Sequence, residues 1–100
     1  AASALSKFPE VSRDLAILVD NNYAASEVLA NVRVNAGEHL TDLRIFDVYQ
    51  GDAVAKDKKS IALSLTWQHP SRTLSEDDIN IIISKCVNRL QDAFNANLRN

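Results

Sequence analysis

An acid and an aromatic residue, Asp47 and Tyr49, stand two positions apart in a segment that alternates like a β-strand and ends at Gly51. Side chains two apart on a strand point to the same face of the sheet. Asp47 and Tyr49 are therefore predicted to lie side by side, while Phe46 and Val48 point to the opposite, apolar face. A carboxylate accepts hydrogen bonds and a phenol ring stacks on planar groups, so this pair is typical of a recognition surface.

Length and charge limit what kind of domain carries this pair. One hundred residues, 46% hydrophobic and 24% charged, fit a single globular domain, and no apolar run is long enough to span a membrane. The net charge of −2 argues against a general nucleic-acid binder, which usually has a basic excess. Any nucleic-acid contact is expected to be local. We interpret residues 1–6 as an N-terminal tail or remnant and residues 7–100 as the domain, excised from a longer protein.

Hydrophobic periodicity predicts four strands and two helices. Alternation with period two indicates strands, and apolar residues three and four apart indicate helices. Gly37 ends the first helix, and Ser75 is a suitable N-cap for the second, with Asp78 completing a capping box. The predicted order is strand 12–20, helix 25–36, strand 43–49, strand 60–68, helix 76–94 and a short strand within 95–100.

This β-α-β-β-α-β order predicts an α+β fold of the ferredoxin-like, split βαβ class, with a four-stranded antiparallel sheet. Two amphipathic helices bury one face of the sheet and leave the other open. The first and third strands should be central, with the second at an edge beside the third. Asp47, Tyr49 and Ser60 are thus predicted to share the open face. Tyr49 is expected to be the only aromatic residue there, with Phe46 buried.

Catalytic and metal-binding chemistry has little support in the sequence. His39 and His69 lack other ligands at metal-binding spacing, and no serine has a positioned base. The acidic run 76–78 suits the positive end of a helix dipole better than a metal cluster. Cys86 falls at an apolar helical position and is expected to be a buried thiol in a reduced, cytoplasmic protein. The domain is therefore expected to have no catalytic site and no cofactor of its own.

Several short motifs occur in a set order along the chain. They are Lys7-Phe8-Pro9, Arg13-Asp14-Leu15-Ala16, Leu43 to Gly51, Lys59-Ser60-Ile61-Ala62, Ser71-Arg72-Thr73-Leu74 and Leu98-Arg99. In these motifs the chain closely resembles the ferredoxin-fold anticodon-binding domain at the C-terminus of the bacterial phenylalanyl-tRNA synthetase beta subunit. Each motif alone is weak, but their order and spacing over residues 7–100 are highly specific.

The resemblance implies a function and a site. Domains of this family bind the anticodon stem-loop of phenylalanine tRNA. Their residues that engage the first anticodon base fall on Asp47, Tyr49 and Ser60 in this chain. That base would be guanine, whose N1–H and N2–H₂ groups are natural donors to the Asp47 carboxylate, while Tyr49 stacks and Ser60 adds a hydrogen bond.

Basic side chains around this site are candidate phosphate contacts. Arg13, Lys59 and Arg99 complete the predicted RNA-binding set, and Lys56 and Lys58 are further candidates. The alternative for each is a solvated loop lysine or a structural arginine.

The resemblance also implies partners outside the chain. They are the remainder of the beta subunit and the alpha subunit of an α2β2 class II synthetase, to which ATP and Mg²⁺ belong. The isolated fragment is expected to be monomeric, to bind tRNA weakly and to have no membrane partner. An alternative function is a protein-interaction or assembly module, whose sheet face docks a neighbouring domain instead of RNA. A small-molecule regulatory domain is less favoured, because the turn after the first strand is Asn21-Asn22, without a glycine.

Overall fold

Six elements follow one another in the predicted order in the computed structural model, which describes residues 8–99. They are β1 (Val11–Asp20), α1 (Ala25–Asn35), β2 (Leu40–Tyr49), β3 (Lys58–Trp67), α2 (Glu76–Phe94) and β4 (Asn97–Leu98). The β-α-β-β-α-β order and the ferredoxin-like fold are confirmed. Strands β2 and β3 begin somewhat earlier than the periodicity predicted. The proposed tail, residues 1–6, lies outside the described residues.

The sheet has the order β2-β3-β1-β4, and each neighbouring pair is antiparallel. The predicted central position of β1 and β3 is confirmed, as is the edge position of β2. Strands β1 and β3 pair without interruption from Val11 opposite Trp67 to Asp20 opposite Lys58. This continuous register assigns every second residue of both strands to the same face.

One face of the sheet packs against both helices. Alternate residues of β1 and β3 are buried, together with the apolar side of α2, and they form one hydrophobic cluster. The cluster includes Leu15, Ile17, Val19, Val28, Val32, Ile61, Leu63, Leu65, Trp67, Ile79, Ile83, Cys86, Leu90 and Phe94.

No helix within residues 8–99 has the length and hydropathy needed to cross a membrane.

Trp67 joins the end of β3 to the end of α1. Its side chain is fully buried, and its indole Nε1–H donates a 2.8 Å hydrogen bond to the carbonyl of Ala36, the C-cap of α1. Gly37 follows with φ of +92°, the left-handed conformation that terminates helices and favours glycine. The predicted stop at Gly37 is thus confirmed.

The N-terminus of α2 has the predicted capping box. The Ser75 hydroxyl accepts from the Asp78 N–H at 3.0 Å, and the Asp78 carboxylate accepts from the Ser75 N–H at 2.8 Å. Arg72 donates to the same carboxylate at 2.7 Å. These bonds, with Arg72 the largest influence, lower the pKa of Asp78 from 3.8 to about 2. The Asp78 carboxylate of the acidic run is therefore held by hydrogen bonds at the start of α2.

Strand β2 contains a bulge that overturns one prediction. Ile45 pairs with Leu63 and Asp47 with Ala62, so Phe46 is an extra residue between two successive rungs. Phe46 is 57% exposed instead of buried. The extra residue changes the alternation, so Phe46 joins Asp47 on the side away from the core, and the prediction that Tyr49 is the only aromatic on the open face is wrong.

Candidate nucleic-acid interface

The open face of the sheet is organised in rows that run across the strands. One row joins Tyr49 on β2 to Ser60 on β3, Leu18 on β1 and Asn97 on β4. These positions alternate with the buried core residues, so they lie on the side opposite the helices. Tyr49 therefore lies on the open face of the sheet, on the edge strand β2.

The Tyr49 ring is held in one orientation from two sides. Its hydroxyl lies over Gly51, where an added Cβ would be 2.5 Å from the Tyr49 oxygen. The backbone N–H of Ala53 donates to that hydroxyl at 3.4 Å. The guanidinium carbon of Arg99 lies 5.3 Å from the ring centroid, within the distance of a cation–π interaction. The ring therefore has contacts on two sides.

Arg99 reaches Tyr49 across a floor of small side chains. Its backbone N–H donates to the carbonyl of Ala16 at 2.7 Å, directly after β4 ends. Ala16 is in turn paired with Ala62 on β3. Because both floor residues are alanines, the long Arg99 side chain has room to extend over the sheet toward β2. Two residues 50 positions apart in sequence thereby meet on one surface.

Asp47 and Ser60 lie beside this pair with very different accessibility. Asp47 is exposed and sits opposite Ala62, one row from the Tyr49–Ser60 row. Ser60 is only 3% exposed, between Tyr49 and Leu18. Asp47 is therefore open to a ligand at once, whereas a ligand reaches the Ser60 hydroxyl only after a neighbouring side chain moves.

Two of the predicted RNA-binding residues lie elsewhere. Arg13 has the parity of the buried residue Leu15 and donates from Nη1 to the side chain of Asn80 on α2 at 3.0 Å. Lys59 has the parity of the buried residue Ile61 and donates to the carbonyl of Asn21 at 3.4 Å. The structure therefore groups Asp47, Tyr49, Ser60 and Arg99 on the open face, whereas Arg13 and Lys59 lie on the helix side.

The other two basic candidates are near the end of the sheet that carries the 51–57 loop. Lys58 forms an ion pair with Asp20, with 3.3 Å between its ammonium nitrogen and the carboxylate. Lys56 is exposed in the loop. Both lie at the same end of β3 as Ser60.

A second group on the open face was missed by the sequence interpretation. Phe46, Arg44, Asp14 and Ser64 line a shallow depression of about 350 Å³. A signal was present in the spacing of the core-facing residues of β2. Leu43, Ile45 and Val48 are spaced two and then three apart, which indicates an inserted residue in a period-two pattern.

The two histidines also meet, although they come from separate loops. The ring centroids of His39 and His69 are 4.1 Å apart. Partial burial, followed by the neighbouring His39, lowers the pKa of His69, whose Nδ1 accepts from the Ser71 N–H at 3.0 Å. Residues 8–99 contain no cluster of three or more side chains that could bind a metal ion.

Comparison with known proteins is decisive for the family. Residues 6–99 match the ferredoxin-fold anticodon binding domain. The chain belongs to this family. The match covers both helices, all four strands and the group formed by Asp47, Tyr49, Ser60 and Arg99.

Relatives of this anticodon-binding domain are beta subunits of phenylalanine–tRNA ligases. The protein from Pseudomonas fluorescens strain Pf-5 is 56% identical over 95 residues, which are 95% of this chain and 12% of that protein. The protein from Pseudomonas putida is 53% identical over 97% of this chain, and that from Mannheimia succiniciproducens is 51% identical over 98%. The chain spans about 12% of the length of each of these relatives.

Proposed function

We propose that this domain is the anticodon-recognition module of a phenylalanine–tRNA ligase beta subunit and reads the first anticodon base of phenylalanine tRNA on its open sheet face. The observation that carries the proposal is the fixed Tyr49–Arg99 pair beside the exposed Asp47, on the face that the helices leave free. Family membership and the beta-subunit relatives support the choice of tRNA.

Asp47 is proposed to supply base discrimination. An ionised carboxylate is an acceptor only, with two oxygens. Guanine offers two adjacent donors, N1–H and N2–H₂, on its Watson–Crick edge, whereas adenine, cytosine and uracil do not offer that pair. Because Asp47 is exposed and faces the small residue Ala62, a base edge can approach it without steric conflict.

Tyr49 and Arg99 are proposed to bind the base by its flat faces. Sequence-specific recognition of single-stranded RNA commonly stacks an unpaired base on an aromatic ring or on a guanidinium plane. The Tyr49 ring is already oriented by Gly51 and Arg99, so little side-chain entropy remains to be lost on binding. Arg99 also provides a positive charge beside the RNA backbone. Stacking of this kind contributes ~1–3 kcal/mol per base.

Ser60 is proposed to act after this first contact. It lies directly opposite Tyr49 but is almost fully buried. A base that stacks on the Tyr49 ring would bring its edge close to Ser60, and after a neighbouring side chain moves the Ser60 hydroxyl can donate or accept one hydrogen bond.

The whole ligase is proposed to provide what this domain lacks. In an α2β2 assembly, the remaining beta subunit and the alpha subunit would hold the tRNA body, the ATP and the Mg²⁺. The net charge of −2 and the mixture of acidic and basic residues on the open face favour weak binding by this domain alone. Tight binding of the anticodon stem-loop by the isolated chain at moderate salt would contradict this part.

Titration of the chain with anticodon stem-loop oligonucleotides tests the assignment. Four stem-loops that differ only in the first anticodon base are added to isotope-labelled protein, and chemical shifts give both the site and the dissociation constant. We expect the guanine stem-loop to bind roughly tenfold more tightly than the others, as a well-formed bidentate contact provides. The shifts should cluster at Asp47, Tyr49 and Ser60.

Two substitutions separate the proposed roles. Asp47→Ala should reduce the preference for guanine, whereas Tyr49→Ala should weaken the binding of all four stem-loops. Asp77→Ala, which removes an exposed acid from α2, is the matched control for charge. Unchanged binding and unchanged preference in both site variants would refute the site.

An assembly module remains the second candidate, on a specific observation. Val34 on α1 and Ile81 on α2 are 81% and 72% exposed, so the helix side presents apolar side chains that a neighbouring domain could cover. If the stem-loop causes no shifts on the sheet face, and the rest of the beta subunit shifts only the helix residues, assembly is favoured over recognition.

A further inference from the structure

The bulge in β2 produces a second recognition feature on the open face, separate from Tyr49. Phe46 is an inserted residue between the rungs Ile45–Leu63 and Asp47–Ala62. Bulges are common beside functional sites, where they redirect a side chain. Here the redirected side chain is an aromatic ring that is 57% exposed, so its face is accessible for stacking on a planar group.

Polar side chains surround this ring in a pattern suited to a nucleotide. Asp14 on β1, Ser64 on β3 and Arg44 on β2 form one row of the register, and with Phe46 they line the depression of about 350 Å³. The depression is shallow and open, so it suits the flat face of a base better than an enclosed small molecule. An aromatic face, a carboxylate acceptor, a hydroxyl and a guanidinium together match the face, edge and phosphate of one nucleotide.

The charges favour a base edge over a phosphate at Asp14. Asp14 is exposed, and within residues 8–99 it forms no ion pair or hydrogen bond through its side chain. A free carboxylate on an RNA-binding face repels phosphates, so it is favourable only where it accepts from N–H groups of a base. Arg44 is 71% exposed, its Nε is 3.7 Å from Asp42, and it can turn toward a phosphate.

The position of the depression relative to Asp47 and Tyr49 indicates which ligand it would bind. Phe46 is adjacent to Asp47, and the row of Asp14, Ser64 and Arg44 is the next row along the open face after Asp47 and Ala62. A strand of RNA whose base contacts Tyr49 and Asp47 would therefore carry a flanking nucleotide over Phe46. We infer that Phe46, Asp14, Arg44 and Ser64 form a second subsite, which binds a nucleobase directly flanking the one at Tyr49 and prefers a base with an amino group. This inference rests on the proposed function.

A double-mutant cycle between protein and RNA tests the subsite. Wild-type protein and Phe46→Ala are titrated with the intact anticodon stem-loop and with versions in which either nucleotide flanking the first anticodon position is abasic. Phe46→Ala should weaken binding of intact RNA about five- to a hundredfold, the range of one stacked base. The loss should disappear with one of the two abasic stem-loops. Val48→Ala is the control, because Val48 is also partly exposed but pairs with the core residue Ile61.

The outcomes separate this inference from the proposed function. A parallel cycle pairs Tyr49→Ala with an abasic first anticodon position. If Tyr49 is coupled to that base but Phe46 is coupled to neither flanking base, the subsite is wrong and the proposed function stands. If Tyr49 is not coupled to its base, the proposed function fails, and the subsite that rests on it falls too. A loss at Phe46 that is equal on intact and abasic RNA also overturns the subsite.

Asp14→Ala tests the preference for an amino group. We expect this variant to lose affinity for stem-loops with adenine or cytosine at the coupled flanking position, and to lose less with uracil. Equal strengthening of all stem-loops would show that Asp14 acts only as a repelling charge, and it would overturn the preference. Asp77→Ala on α2 again controls for net charge.

Discussion

At the scale of single residues, the orientation of the Tyr49 ring depends on two neighbours. Gly51 allows the ring to fold over the backbone, and Arg99 holds it by a cation–π contact at 5.3 Å. Together they restrict the ring. If a base stacks on Tyr49 as proposed, little side-chain entropy is lost in ordering the ring.

Gly51→Ala tests this restriction of the ring. The new Cβ would meet the Tyr49 hydroxyl at 2.5 Å, so the ring must shift away from its present place and from Arg99. We expect the aromatic chemical shifts of Tyr49 to change and affinity for the stem-loop to fall by up to about tenfold. Stability should change by less than ~1 kcal/mol, because the site is exposed. The control is Asp52→Ala in the same turn; unchanged Tyr49 shifts in Gly51→Ala would contradict the prediction.

At the scale of elements, β2 and α2 differ in how closely they follow local sequence rules. Helix α2 starts where its capping residues predict, because a capping box is made by residues three apart. Strand β2 departs from simple alternation at Phe46, because its register is set by pairing with β3. Helix α2 contributes its apolar side to the core, whereas β2 carries the exposed Phe46 and the half-buried Tyr49.

The start of α2 should make stability depend on pH in the acid range. The pKa of Asp78 is about 2 in the folded protein and 3.8 ordinarily, chiefly because of Arg72 and then Ser75. A depressed pKa stabilises the folded state fully above about pH 4, and this contribution is lost as the pH falls toward 2. In urea unfolding from pH 7 to 2, Asp78→Asn should be less stable than wild type at pH 7, with a difference that shrinks toward pH 2.

Asp77→Asn is the control for this experiment. It removes the same charge from the same helical turn, but Asp77 makes neither the bond to Ser75 nor the bond to Arg72. Its stability difference from wild type should be smaller at pH 7. If the two variants have the same pH profile, the capping bonds of Asp78 do not explain the acid sensitivity.

At the scale of the whole molecule, the two faces of the sheet have separate tasks. The helix side holds the core and includes Arg13 and Lys59, which bond to α2 and to the turn after β1. The open side keeps small residues at its centre, over which Arg99 and Tyr49 meet. Because Asp47, Phe46 and Arg44 are exposed, substitutions at these positions are expected to change stability little.

Trp67→Phe tests how the core depends on one long-range hydrogen bond. Trp67 donates to the Ala36 carbonyl at 2.8 Å, and both residues are fully buried. Phenylalanine cannot donate, so that carbonyl is left unsatisfied at a cost of ~1–3 kcal/mol, in addition to the lost volume. Urea unfolding followed by far-UV circular dichroism should show this loss. Val34→Ala, at an exposed position of α1, should change stability little.

The sequence by itself determined the order of elements, the helix caps and the parity of the two central strands. These features depend on residues close together in the chain, whose hydrophobic periodicity and capping chemistry act locally. The placement of Asp47 and Tyr49 on a single side of β2 was predictable for the same reason, because two residues after the bulge still alternate normally.

Only the tertiary structure decided what surrounds that pair. The bulge places Phe46 on the open face, and Ser60 is buried. Arg13 and Lys59 lie on the helix side, and Arg99 lies over the Tyr49 ring. Each of these outcomes depends on register between strands that are distant in sequence. A shift of one residue in pairing moves a side chain to the opposite face, and local patterns cannot report such a shift reliably.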